Sequence, residues 1–271
     1  MAALPVDAAA VRDIVIAAAA AAVMPRFKAL AKGDIRTKSG PNDLVTAADL
    51  HCQAILAEQL GALLPEAAIV GEEGGGTADE ACAAIAAADW CWIIDPLDGT
   101  HNFAHSRTGF AVMVALAHRG ETVAGWIHEP VRGKTQTAVT GEGAWISGRR
   151  LSVAPGASLK QMTGVLYVGP RRAPALHARL KDLKDELGPQ SFQRSAGAEY
   201  LGLAAGQIHY AIFTRLLPWD HAPGVLVFRE AGGHAAYWDG EPYRPAAARP
   251  VPLLIAPSED CWRELRRVFD A

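Results

Sequence analysis

The chain lacks most of the features that would place it in a simple class. It has four cysteines, Cys52, Cys82, Cys91 and Cys261, with no C-x-x-C pair and no zinc-site spacing among them. They read as free thiols, and the expected compartment is the reducing cytoplasm. The formal net charge is −3 with no block of one sign, so electrostatics gives no reason to expect nucleic acid or an anionic membrane as a partner. The pairs Arg149-Arg150, Arg171-Arg172 and Arg266-Arg267 read as solvated surface. No apolar run reaches the roughly 18 residues of a membrane span without meeting a charge. No basic segment precedes the alanine-rich start, so a signal peptide is not expected. Internal repeats are absent. Gly74-Gly75-Gly76 is not G-x-G-x-x-G, which makes a dinucleotide fold a weak reading.

What is present is 271 residues, 50% of them hydrophobic, enough for one large domain or two modest ones with a real core. Asp7 to about Leu30 has helical apolar spacing, with Pro25 kinking or ending it. A second helix is expected from Ala47 to Leu64, a short strand at Ala68–Val70 and a weak helix at Ala78–Ala88. Trp90–Ile94, Phe110–Ala117, Thr122–Glu129, Lys134–Thr140 and Ala144–Ile146 read as an antiparallel meander rather than a βαβ series. After Pro155-Gly156 the pattern mixes again. Strands are expected at Met162–Val168, Ile208–Phe213, Ala235–Trp238 and Leu253–Ala256. Helices are expected at Ala173–Leu187, Glu199–Ala205 and His221–Ala231, with a last one capped by Ser258. The fold class is therefore α/β in a layered α+β sense. We divide it at 1–155, an α+β part, and 156–271, an α/β part.

The stretch WIIDPLDGTHNF, Trp92 to Phe103, concentrates the chemistry. A turn at the end of a strand can fold Asp95 and Asp98 towards one point. Two anions that close need a shared proton or a cation, and hard carboxylate oxygens favour Mg²⁺, Mn²⁺ or Ca²⁺ over zinc. Gly99 lets a ligand approach the backbone, and a helix beginning near Thr100 would offer free N–H groups to a phosphate. Taken alone, D-G is equally an ordinary turn dipeptide. Three further segments carry acids. Gly71-Glu72-Glu73-Gly74 follows the short strand, Leu44-Val45-Thr46-Ala47-Ala48-Asp49 opens a helix, and Trp219-Asp220-His221-Ala222-Pro223-Gly224 precedes one. Each by itself reads as a loop or a cap.

In this order the segments resemble the inositol monophosphatase family of Mg²⁺-dependent, lithium-sensitive phosphatases. The match runs through D-x-V-T-x-x-D, G-E-E, W-I-I-D-P-x-D-G-T-x-N-F, and W-D-x-A-x-G with E-A-G-G, from about Lys38 to Gly233. The resemblance implies an αβαβα sandwich with mixed or antiparallel sheets, usually dimeric, and two to three Mg²⁺ ions. Glu72, Asp95 and the Leu97 carbonyl match the first metal's ligands, and Asp95, Asp98 and Asp220 the second's. Glu72 would also touch a third ion. Asp49 and Thr100 match the pair that orients and deprotonates the attacking water, with Glu72 beside them, and Gly99 and Thr100 match the phosphate contacts. Lys38 falls on the family's mobile loop. The expected activity is hydrolysis of a small phosphate monoester. A non-catalytic protein that keeps the fold to bind a phospho-ligand or partner is the alternative of a different class.

The alcohol side departs from the pattern. Inositol-specific members resemble one another in a glutamate where this chain has Phe213, which cannot accept hydroxyl hydrogen bonds. Phe213 reads equally as a core residue ending a strand. Glu199 is a substitute acidic contact, suited to an amine-bearing ester such as histidinol phosphate. Arg215 would pair with an acidic substrate group, with Glu199 or with a surface acid. Sugar and nucleotide phosphates remain open. His101 reads as solvated.

Overall fold

The computed structural model describes residues 4–30, 35–37 and 44–270. Lys38 lies outside the described residues. The N-terminal helix α1 (Ala8–Ala18) is capped by the Asp7 carboxylate, continues through a π-helical turn at Ala19–Val23, and ends in a tight turn at Met24–Arg26. Pro25 has no N–H to carry the helix on, and the Arg26 guanidinium takes the freed Ala22 carbonyl at 2.9 Å. By length and composition Ala8–Arg26 would suffice to cross a membrane. Here Val11, Val15, Ala18, Ala22 and Val23 face the protein core.

A short hairpin, β1 (Ile35–Thr37) with β2 (Leu44–Thr46), leads into α2 (Ala47–Leu63). The next elements are β3 (Ala68–Gly71), α3 (Ala78–Ala87), β4 (Trp90–Asp98) and the short α4 (Thr100–Ala104). Then come β5 (Ala111–His118), β6 (Glu121–Glu129), β7 (Lys134–Val139), β8 (Gly143–Ile146) and β9 (Arg149–Arg150). Strands β3 to β9 lie in sequence order in a seven-stranded sheet. From β4 onward it is the expected antiparallel meander. Its first hairpin turns at Arg119-Gly120, both at positive φ as a tight primed turn requires. At the edge ahead of the meander β3 joins β4 in parallel, and α3 crosses between them. Two strands running the same way cannot be joined by a hairpin.

The second sheet has five strands in the order β11-β10-β12-β14-β13. Its elements are β10 (Gly164–Tyr167), α5 (Pro174–Asp182), β11 (Gln190–Ser191), α6 (Ala196–Ala204), β12 (Tyr210–Phe213), α7 (Pro218–Glu230), β13 (His234–Tyr237), β14 (Leu253–Ala256) and α8 (Glu259–Asp270). Helices α6 and α7 start earlier than the sequence suggests. Ser195 caps α6, so Glu199 sits in its first turn, and Pro218 opens α7, so Asp220 lies inside it. Both starts were hidden because small residues and prolines resemble loop.

Alternation along the strands builds five layers. Trp92 and Ile94 of β4 pack on α1 and α2. The opposite face of the first sheet, including Ala111, Met113 and Ile127, packs on α6 and α7. Those helices also cover Val165, Ala211, Leu253 and Ile255 of the second sheet. Its far face, with Tyr210, Ile212 and Leu254, rests on α5 and α8. The αβαβα order is the one the sequence resemblance implies.

Candidate active site

The acids converge because of strand register. In the parallel pair, Gly71 lies opposite Ile94. The next residue on each strand is Glu72 and Asp95, so both carboxylates leave the same strand ends. Asp95 and Asp98 are an odd number apart and would point to opposite faces of a regular strand. A bulge corrects this. Asp95 pairs with Met113 and Asp98 with Ala111, so three residues of β4 span two of β5. Leu97 falls back into the α2 cluster, and both aspartates face α6 and α7. Reading the strand to end at Ile94 missed that the carboxylates belong to it.

The two aspartates are held differently. The Leu97 N–H donates to Asp95 Oδ1 at 3.0 Å. Asp98 is seated on the N-terminus of α6. It accepts from Ala196 N–H at 3.1 Å, from Gly197 N–H at 2.7 Å and from the Ser195 hydroxyl. A Cβ on Gly197 would meet Ala111 Cβ at 2.8 Å and Met113 Sδ at 2.9 Å, so only glycine brings the helix this close. Asp220 enters from the first turn of α7. Burial, then the charges of Glu72, Asp98 and Asp220, pushes Asp95 well above the ordinary aspartate range. Burial also lifts Asp98 to about 6, against the pull of its Ser195, Gly197 and Ala196 hydrogen bonds.

Asp49 stands at the start of α2. Its Oδ2 accepts from Thr46 N–H at 2.9 Å and from the Thr46 hydroxyl at 2.5 Å, a reciprocal capping box. Its Oδ1 faces the Thr100 hydroxyl at 2.9 Å, and that hydroxyl is also 2.9 Å from the Leu97 carbonyl. One hydroxyl proton serves one of these acceptors at a time. Burial lifts Asp49 to about 6 in spite of the Thr46 and Thr100 hydrogen bonds, with a smaller upward push from Glu72. Gly99 has φ +88, and a Cβ there would stand 3.0 Å from both the Gly109 carbonyl and Ser195 Cβ. Helix α4 begins at the next residue.

A cleft of about 470 Å³ joins these groups. Glu72, Asp95, Leu97, Asp98, Gly99, Thr100 and Asp220 line one end. Among the described residues no three His, Cys, Asp or Glu side chains are already closed at coordination distance, so the acids share a cleft and not a finished cage. The donor set fits a hard cation. It is all oxygen, and Asp95 is disfavoured as an anion by three neighbouring carboxylates until positive charge arrives.

Tyr167, Phe192, Arg194, Phe213, Arg215 and His221 line the rest of the cleft. Phe213 and Arg215 are where the sequence places them, on the wall. Glu199 is not, and its expected role as a substrate contact is corrected. It is fully buried, and its oxygens accept from Gln193 N–H at 2.6 Å, the Ser191 hydroxyl at 2.8 Å and the Tyr167 hydroxyl at 3.3 Å. The helix start at Ser195 turns Glu199 inward. Sequence reasoning also missed Ser195, Tyr167 and Arg194. Ser195 lies four residues before Glu199, one too many for the S-x-x-E capping pattern, and the other two carry no local pattern either.

A five-layer sandwich with an acidic, all-oxygen cleft at the ends of a parallel strand pair suits a metal-dependent phosphatase, and the family matched by the chain is one of phosphoric monoester hydrolases. The chain belongs to the inositol monophosphatase family, whose model matches residues 5–263. An inositol-1-monophosphatase of Bacillus subtilis (strain 168) is 32% identical over 212 residues, 77% of this chain and 78% of that one. A fructose-1,6-bisphosphatase/inositol-1-monophosphatase of Thermotoga maritima is 30% identical over 213 residues, 77% of each chain. Among solved structures, the extragenic suppressor protein suhB of Bartonella henselae has TM-score 0.80 at 25% identity, covering 96% of this chain and 98% of that one. An IMPase/NADP phosphatase complexed with Mg²⁺ and phosphate has TM-score 0.77 at 22% identity, covering 92% and 90%.

Proposed function

We propose that the protein hydrolyses the phosphate monoester of a small alcohol, using two to three Mg²⁺ ions held by Glu72, Asp95, the Leu97 carbonyl, Asp98 and Asp220. The observation that carries the reading is the bulge in β4, which turns Asp95 and Asp98 to one face beside Glu72. Bound there, magnesium supplies Lewis acidity towards water and the phosphoryl oxygens. Thr100 and Asp49 hold the attacking water. The hydroxyl orients it, and Asp49, lifted by burial to about 6, is the proton acceptor close to neutral pH. Water oxygen bonds to phosphorus, the bond from phosphorus to the alcohol oxygen breaks, and the alcohol leaves with a proton. Glycine at 99 is required by its φ of +88 and by the close packing on Gly109 and Ser195, and the leading N–H groups of α4, which begins at the next residue, would take the phosphate.

Four buried, unpaired thiols support a reducing, cytoplasmic setting. A homodimer is part of the same reading and is checked by light scattering. The test of activity is release of inorganic phosphate from phenyl phosphate and myo-inositol 1-phosphate with and without Mg²⁺. Magnesium-dependent release is expected. Metal bound with no release from these or related esters would favour the non-catalytic alternative.

A further inference from the structure

Resting on that reading, we infer that the alcohol end of the cleft is an anion subsite: Arg194 and Arg215 receive a second acidic group on the leaving alcohol. The acids that line the cleft are gathered at one place, with Glu72, Asp98 and Asp220 all acting on Asp95. The other charged side chains that line the cleft are two guanidiniums; Arg194 Nη1 lies 3.5 Å from His101 Nε2, and among the described residues neither arginine closes an ion pair. An ammonium beside these guanidiniums would meet like charge, and Glu199 is sealed behind the wall and cannot offset it.

Each arginine is presented by a buried polar relay. Arg194 has φ +56, a conformation a non-glycine residue adopts at a cost. What holds it there is its N–H, which donates to the Tyr167 hydroxyl at 2.6 Å. That hydroxyl donates in turn to Glu199, which also anchors Ser191 and Gln193. The guanidinium lies over the Phe192 ring, 5.5 Å from its centroid. On the far wall, the Arg215 carbonyl is 2.9 Å from His221 Nε2, so that nitrogen carries the proton. His221 Nδ1 is then the acceptor for the Tyr200 hydroxyl at 3.0 Å. In the same cleft the stacked rings of Tyr167 and Phe213, 5.7 Å apart, offer an apolar face to ring hydroxyls. Planar guanidiniums suit carboxylate and phosphate oxygens equally, so the chemistry recognised is a second anion of either kind.

The test is a matched set of esters in Mg²⁺: phenyl, 4-(carboxymethyl)phenyl, 4-(phosphonomethyl)phenyl and 4-(aminomethyl)phenyl phosphate. A methylene separates each substituent from the ring, so leaving-group strength stays nearly constant. At least one of the two acidic esters is expected to exceed phenyl phosphate in kcat/KM by about tenfold, chiefly through KM, with the amine ester below it. Which acidic ester leads tells carboxylate from phosphate recognition. In Arg215→Gln or Arg194→Gln the acidic-to-neutral ratio should fall several-fold, and Arg215→Lys should restore part of it. Equal kcat/KM across the set, or preference for the amine, overturns the inference while leaving the phosphatase reading standing. No release from any ester fails that reading, and this inference with it.

Discussion

The two ends of the cleft are built on different principles. At the phosphate end the side chains leave strand ends and helix starts, and their backbone positions follow from register: Glu72 beside Asp95, and Asp98 returned to the same face by one extra residue. At the alcohol end Phe192, Arg194 and Arg215 sit in connecting segments beside Tyr167 and Phe213 at strand ends, and relays such as Tyr167–Glu199 and Tyr200–His221 hold them. Chemistry common to many esters thus rests on short, rigid sequence. Choice among esters rests on scattered residues that loops bring together.

Substitutions test whether the ends are separable. Asp95→Asn should have the largest effect, lowering turnover of every ester by more than about 100-fold at fixed Mg²⁺, because it removes the carboxylate shared by both proposed metal sites. Steady-state rates across a Mg²⁺ titration check this, and near-normal turnover would sink the assignment. Asp49→Asn should cost about 10²–10⁴ in kcat with metal affinity little changed. A loss confined to KM would argue against a proton acceptor. Ser195→Ala should weaken Mg²⁺ binding by roughly 10- to 100-fold, since it unseats Asp98. The lost cap of α6 should cost about 0.5–2 kcal/mol in thermal unfolding. All three should leave the acidic-to-neutral ester ratio where it was; a shift would mean that the ends are coupled.

The smallest effect concerns pH. Asp49 and Asp98 are raised by burial from 3.8 to about 6, so the folded state holds their protons more tightly than the unfolded chain does. That stabilisation is complete below about pH 4 and is lost as pH rises through 6, amounting to up to about 3 kcal/mol per group. Chelator-treated protein should therefore melt at lower temperature at pH 7.5 than at pH 5.5. Mg²⁺ should restore more at the higher pH. A metal-free melting temperature that rises over this range would contradict the burial of these acids.

The phosphate end was legible in the sequence because its pattern is contiguous. An apolar run, two aspartates, a glycine and a threonine fall within a few residues, and the strand and helix starts around them have strong local signals. Helix and strand order and the five-layer fold followed from the same patterns and the resemblance. Less visible were features that depend on count or partner. The bulge at Pro96-Leu97 cannot be read without the register of β5, and the parallel β3–β4 edge cannot be read without knowing which strand pairs with which. Glu199 shows the limit most clearly. It falls where the inositol-specific members have a small residue, and that suggested a substitute acidic contact. A helix beginning three residues earlier than periodicity indicated turns it into the interior, where it positions Arg194 instead.

The seat of Asp98 on α6 joins residues almost a hundred positions apart in the chain, Asp98 and Ser195. Asp220 comes later still. During synthesis, a ribosome that has released the first sheet has produced Glu72, Asp95, Asp98, Asp49 and Thr100, yet none of the groups that fasten Asp98 or bring in Asp220. A half-made chain therefore carries these acids without the groups that seat Asp98 and without Asp220. The active site is finished only when the second half folds over it, which makes competence to hold its ions a late marker of the chain's own completion.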